Sequence, residues 1–180
     1  MLEDKVEKGI QAEGELFQKY KEVLPEELME IWQEQGWASM LNGYLRVINP
    51  DDYKALLDDT YFRGNRSIPI MTTAFGDIIT FEDGQYIGMV KYKNGNFAIL
   101  AKSFKRFLKN LADDYFLGKY FQISQYMEAV KILGQPGHNE CFGYVPLLGL
   151  GGAEEKDHLS KVSIREHIEV ITQMVGKIGM

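Results

Sequence analysis

The chain has 180 residues, of which 45% are hydrophobic and 26% charged, the balance of an ordinary folded protein. Its one cysteine, Cys141, cannot form an internal disulfide, which excludes a disulfide-stapled secreted scaffold and indicates a reducing compartment. No stretch approaches the roughly 18 apolar residues of a membrane span, and the N-terminus lacks the apolar core of a signal peptide. We therefore expect a cytoplasmic protein with no membrane contact.

The net charge of −6 is concentrated at one end of the chain. Residues 1–36 contain ten acidic and four basic residues, and the remaining residues contain sixteen of each. A protein that binds nucleic acid directly needs the opposite sign. An acidic surface instead suits a basic partner, or serves only solubility.

The first third of the chain predicts helices and one tight turn. Residues 5–23 carry a weak helical pattern, and Pro25 opens a clearer helix that Gly36 ends. Asn42-Gly43 is typical of a hairpin turn, and Asn49 is placed to cap a helix that begins at Pro50. The solvent side of the first of these helices is predicted to carry Glu26, Glu27, Glu30 and Glu34, and Asp51 and Asp52 follow nearby in sequence.

The middle of the chain predicts a β-meander, because short apolar strands alternate with Asp-Gly and Asn-Gly turns. The predicted strands are Ile68–Thr73, Ile78–Phe81, Tyr86–Tyr92 and Phe97–Leu100.

The last part predicts helices at Lys102–Leu111 and Phe121–Leu133, then a Gly- and Pro-rich loop over residues 134–152. A final helix follows Ser163, and the apolar spacing predicts a buried face of Ile164, His167, Ile168, Ile171, Val175 and Ile178. Together these elements predict an α+β fold, with a central, mainly antiparallel meander flanked by helices.

Few residues suggest catalysis. Cys141 is a nucleophile only if a base such as His138 or His167 converges on it, and its apolar neighbours favour an inert buried thiol. His138, Glu140 and Cys141 have no second cluster to complete a metal site, so we predict neither a metal nor another cofactor. Asp77, between two strands, is typical of a turn residue that holds a backbone amide.

The order of motifs resembles bacterial immunity proteins that pair a GAD-like N-terminal region with the C-terminal domain of type VI secretion DNase immunity proteins. The residues that carry this resemblance are Leu24–Leu28, Ile31–Glu34, Gly36-Trp37, Asn42-Gly43, Asn49–Tyr53, Ile68-Pro69, Thr73–Asp77, Leu133-Gly134, Asn139–Pro146, Leu148–Gly152, Glu166-His167, Ile171 and Gln173.

The resemblance implies a cytosolic antitoxin that binds a cognate secreted toxin, a basic nuclease, and blocks it without catalysis. It implies a GAD-like region over residues 1–105 and an immunity domain over residues 106–180, packed closely enough to behave as one unit. Acidic residues would then steer a basic toxin, with association on the order of 10⁸ M⁻¹s⁻¹ at low salt. Glu26, Glu27, Glu30, Glu34, Asp51 and Asp52 are our candidate partner-binding residues.

Two other hypotheses stay open. One is a hydrolase built on Glu140, Cys141 and a histidine. The other is a structural or regulatory interaction module, such as a homo-oligomer, without a toxin partner.

Overall fold

A seven-stranded antiparallel sheet forms the centre of the computed structural model, which describes residues 6–180 apart from the side chains at positions 149 and 156. The strands lie side by side in chain order: β1 (Val6–Glu7), β2 (Ser39–Met40), β3 (Leu45–Val47), β4 (Ser67–Thr73), β5 (Ile78–Glu82), β6 (Tyr86–Lys91) and β7 (Asn96–Ala101). Each strand therefore pairs with its neighbour in sequence, which confirms the predicted meander.

Helices cover both faces of this sheet. They are α1 (Gly14–Tyr20), α2 (Glu26–Gln35), α3 (Pro50–Thr60), α4 (Phe104–Asn110), α5 (Asp114–Tyr120), α6 (Ile123–Leu133) and α7 (Ile164–Val175). A hairpin of β8 (Glu140–Tyr144) and β9 (Leu159–Ser163) forms a separate two-stranded sheet. The α+β class is confirmed.

The turn and cap residues act as their chemistry predicts. Pro25 and Gly36 flank α2, and Gly36 has φ of 67°, a conformation that glycine adopts at little cost. The Asn49 side chain accepts a hydrogen bond from the Asp51 amide at 3.0 Å and so caps α3. Asn42, with φ of 57°, belongs to the turn that joins β2 and β3.

Two apolar cores lie on opposite faces of the sheet. The larger one joins α1, α2, α4, α5 and α6 to the sheet and to the β8–β9 hairpin. The smaller one lies under α3 and α7 and includes Ile48, Tyr61, Val90, Cys141 and Ile168. Because both cores contain residues from before and after position 105, the two halves of the chain share their interior.

The structure differs from the sequence predictions in five places. The helix predicted over residues 5–23 is confined to Gly14–Tyr20, with a strand at Val6–Glu7, and Lys5 lies outside the described residues. The helix α5 and the hairpin β8–β9 fall where no helix or strand was predicted. Val175 is 56% exposed rather than buried, and Ile178 lies past the end of α7, where it forms a parallel bridge with Tyr61.

Candidate functional site

An acidic ridge runs along the solvent side of α2. Glu26, Glu30 and Glu34 are exposed and Glu27 is half-buried, while Leu28 and Trp32 on the opposite side are fully buried. At about 100° per residue, the four carboxylates lie within roughly 100° of the helix circumference. The helix contains no basic residue, and none of the four carboxylates has an ion-pair partner in the described part of the chain. The ridge is therefore a negative surface without direct ion pairs.

The two other acidic candidates have different surroundings. The Lys19 ammonium contacts Asp51 at 2.6 Å, and the Tyr20 hydroxyl donates to the same carboxylate at 2.6 Å. The Lys19 hydrogen bond, followed by the Tyr20 hydrogen bond, lowers the pKa of Asp51. The backbone carbonyl of Asp52 accepts a hydrogen bond from Arg165. The structure thus brings together the four glutamates but places Asp51 in a local ion pair between α1 and α3.

A basic surface lies on α4. Lys102, Lys105, Arg106 and Lys109 are exposed, and none of them has an ion-pair partner within residues 6–180. The nearby Asp113 instead accepts a hydrogen bond from the Phe116 amide at 2.8 Å and caps α5. The cations of α4, like the glutamates of α2, therefore form no direct ion pair among the described residues.

The hydrolase hypothesis depends on Cys141 and a histidine. Cys141 and His167 both lie against Gly76: a Cβ added to Gly76 would be 3.0 Å from Cys141 Sγ and 3.5 Å from His167 Cδ2. No hydrogen bond joins the two side chains among the described residues. Burial raises the pKa of the Cys141 thiol to about 12, and burial lowers the pKa of His167. The thiol is therefore neutral near pH 7, and the arrangement does not activate it.

A cavity of about 170 Å³ opens between the turn after β6, the β8–β9 hairpin and α7. Its walls are mainly apolar, and they include Phe75, Tyr144 and Ile171. Lys93 projects along one wall, with its Nζ 5.3 Å from the centroid of the Tyr144 ring, and forms an ion pair with Glu154. Among the described residues that line the cavity, Lys93 is the compensated cation, His167 is the other titratable side chain besides tyrosines, and no carboxylate is present.

Asp77 is the buried polar group whose environment the sequence does not predict. Its carboxylate accepts a hydrogen bond from the Tyr92 amide, across the sheet from its own turn, and its Oδ1 has no partner within the described residues. Burial raises the pKa of Asp77 to about 7, although Lys91 and Lys93 partly offset this effect. Asp77 does hold a backbone amide, but it is that of the distant Tyr92 and not one in its own turn, where the Thr73 hydroxyl accepts from the Asp77 amide at 3.1 Å. The raised pKa follows from this tertiary packing.

Comparison with known families bears directly on these surfaces. Residues 2–100 match the family model of the GAD-like domain. Residues 101–175 match the C-terminal domain of the T6SS immunity protein Tdi1. The chain belongs to the GAD-like domain family. Together the two matches confirm the predicted family, and the C-terminal part of this GAD-like protein is similar to a type VI secretion immunity domain. The acidic ridge lies in the GAD-like part, and the cations of α4 lie in the immunity domain.

The fold of this family member also occurs in a solved structure. The crystal structure of Atu4351 from Agrobacterium tumefaciens superposes with a TM-score of 0.72, at 17% sequence identity, over 91% of this chain and 82% of that chain. At this identity the similarity shows the fold alone. No curated protein sequence matches the chain. Within residues 6–180, no helix is long and apolar enough to span a bilayer.

Proposed function

We propose that this protein is an antitoxin that binds a cognate type VI DNase toxin in the cytoplasm and neutralises it without catalysis. The observation that carries this proposal is the match of residues 101–175 to the Tdi1 immunity domain. The unactivated Cys141 and His167 pair is consistent with inhibition by binding alone.

The acidic ridge of α2 is the surface that we propose for toxin capture. A DNase must attract phosphates and so carries basic surface around its DNA-binding groove. Uncompensated carboxylates attract such a surface over distances of about one Debye length, near 8–10 Å at physiological salt. We include Asp51 and Asp52 in the proposed toxin-binding surface. We expect their replacement to slow toxin association less than replacement of the glutamates, because Lys19 already forms an ion pair with Asp51.

Charge reversal of the ridge tests this surface. In the variant Glu27→Lys, Glu30→Lys, Glu34→Lys, we expect association with the purified toxin to be at least about tenfold slower at low salt, and its salt dependence to weaken. The matched control is Asp59→Lys, Glu166→Lys, Glu169→Lys, which changes the net charge equally but lies on the exposed faces of α3 and α7. Unchanged association and unchanged salt dependence in the ridge variant would exclude the ridge as the capture surface.

Inhibition of DNA cleavage tests the function itself. Adding the purified protein to the toxin should abolish cleavage at one equivalent, since a stoichiometric inhibitor acts by occupying the toxin. Cleavage that continues at a large excess of a protein shown to be folded would contradict the proposed function, whatever surface is involved.

A further inference from the structure

The last strand of the meander, β7, is an open edge. It pairs with β6 on one side, and its outward backbone N–H and C=O groups have no hydrogen-bond partner among the residues that the structure describes. Residues 96–99 are at least partly exposed, whereas Leu100 and Ala101 are buried. The strand contains no charged residue and no proline, the features with which natural proteins protect exposed edges from pairing.

One face of this edge is apolar. Phe97 and Ile99 point to the same side because side chains alternate along a strand, and they are 37% and 40% exposed. Phe62, which is 40% exposed, lies beside them, with its ring centroid 5.1 Å from that of Phe97. We call Phe62, Phe97 and Ile99 the edge patch. A strand added to β7 would bury this patch with its own apolar side chains.

The other face of the edge is the one on which the cationic helix α4 packs. Ala98 points to the larger core, where Phe104 and Phe107 of α4 are also buried. The exposed side of α4 carries Lys105 and Arg106, and Lys102 follows the end of β7 directly. Every second side chain of an added strand would point to the face of the sheet that α4 covers.

We propose that the β7 edge binds an extended segment of the toxin by strand addition, with apolar residues facing the edge patch and Asp or Glu residues at the intervening positions facing α4. This inference rests on the proposed function. The two-residue alternation of a strand matches the two chemically different faces, and main-chain hydrogen bonds would fill the open edge.

A second copy of the chain fits this edge less well. The β7 sequence supplies no carboxylate for the cations of α4. Antiparallel pairing of two β7 strands relates the two copies by a two-fold axis perpendicular to the sheet. This axis leaves the same face of each copy on the same side, so the two α4 helices would lie on one face of the joined sheet. Like charges near one another oppose such a dimer.

Labelled peptides test the edge without the toxin. The probes are acetylated (Val-Glu)4, (Val-Lys)4, and (Val-Glu)4 methylated on alternate backbone nitrogens. The full-length protein should bind the acidic peptide at least about tenfold more tightly than the basic or the methylated peptide. Equal binding of the three peptides, or no binding of the acidic one, would overturn the proposal.

Two variants locate the peptide on the edge. Ile99→Ser removes part of the edge patch, and Lys105→Glu, Arg106→Glu reverses the cationic face; each should weaken binding of the acidic peptide about tenfold. The matched control Ile132→Ser changes an exposed isoleucine of α6 and should bind as wild type. Wild-type binding by Ile99→Ser would overturn the proposal, as would a dimer in sedimentation that Ile99→Ser abolishes.

The same variants separate this inference from the proposed function. If the toxin binds the wild-type protein and both edge variants equally, the edge proposal fails and the antitoxin function stands. If the toxin does not bind the wild-type protein, the antitoxin function fails, and with it the toxin as the occupant of this edge.

Discussion

Asp77 makes the stability of the fold depend on pH. In the unfolded chain its carboxyl group loses its proton near the ordinary value of 3.8, whereas burial keeps it protonated in the folded protein up to about pH 7. The folded state thus binds more protons between these values, and the contribution of Asp77 to stability falls as the pH rises from about 4 to 7. The full effect is on the order of 4 kcal/mol.

Replacing this carboxyl group with an amide tests the effect. The variant Asp77→Asn keeps an oxygen that accepts from the Tyr92 amide but cannot ionise. Its free energy of unfolding relative to wild type, measured in urea from pH 5 to pH 8, should increase by a few kcal/mol. The variant Asp59→Asn, which makes the same change at an exposed aspartate, serves as the control. A difference between Asp77→Asn and wild type that is constant with pH would contradict the proposed burial of a titrating group.

For single residues, the sequence predicts a role in a local turn or helix cap better than it predicts which distant residues surround a side chain. Asn49, Pro25 and Gly36 cap or end helices because their own side chains or backbone angles decide the geometry. The raised pKa of Asp77 depends instead on β6 and on the turn after it, which are distant in sequence. The contact of Asp51 with Lys19 joins residues 32 positions apart, so the acidic spacing alone could not separate Asp51 from the α2 glutamates.

Among the secondary-structure elements, α3 depends on its cap. Asn49→Ala removes the acceptor of the Asp51 amide and should lower the free energy of unfolding by about 1 kcal/mol. Asn49→Ser retains a capping oxygen and should stay within a few tenths of a kcal/mol of wild type. Urea denaturation followed by circular dichroism measures both variants. An alanine variant as stable as wild type would show that the cap does not stabilise α3.

The elements that the sequence predicts are those with strong turn signals and regular spacing. Asp83-Gly84 and Asn94-Gly95 mark the meander because glycine accommodates the turns between its strands. The helix α5 is difficult to predict because it has only seven residues and contains Gly118, which disfavours a helix. Its cap, Asp113, can equally be interpreted from the sequence as a charge partner for the cations of α4. The strand β8 is embedded in a Gly- and Pro-rich segment, and it becomes identifiable only through its pairing with β9.

Considered as a whole, the molecule is held together across its two family domains. Arg46 is buried and donates to the Thr73 carbonyl at 3.2 Å and to the Gly137 carbonyl, and the Phe142 amide donates to the Ala74 carbonyl at 2.7 Å. The Ile178 amide donates to the Thr60 carbonyl at 2.8 Å. We propose that residues 1–105 and 106–180 form one cooperative folding unit.

This cooperativity has a direct test. Trp32 and Trp37 report only on the first region, while far-ultraviolet circular dichroism reports on the whole chain. In urea, the two signals should give coincident transitions, and residues 1–105 expressed alone should lack a cooperative transition. Separate midpoints for the two signals, or a folded 1–105 fragment, would contradict the single unit.

The distribution of charge over the molecule is only partly predictable. The excess acid in residues 1–36 indicates a negative surface, and α2 concentrates four of those carboxylates on one side. The open edge of β7 is not predictable in this way, because an apolar strand has the same sequence pattern at the edge of a sheet as in its interior. Which strand lies last in the sheet is a property of the complete topology.

Co-expression with the cognate toxin that we propose tests the antitoxin function most directly. We expect that cells producing the toxin grow when this protein is present, and that the two proteins purify together as a stable complex. Continued killing in the presence of the folded protein would contradict the antitoxin function, as would growth without any complex between the two proteins.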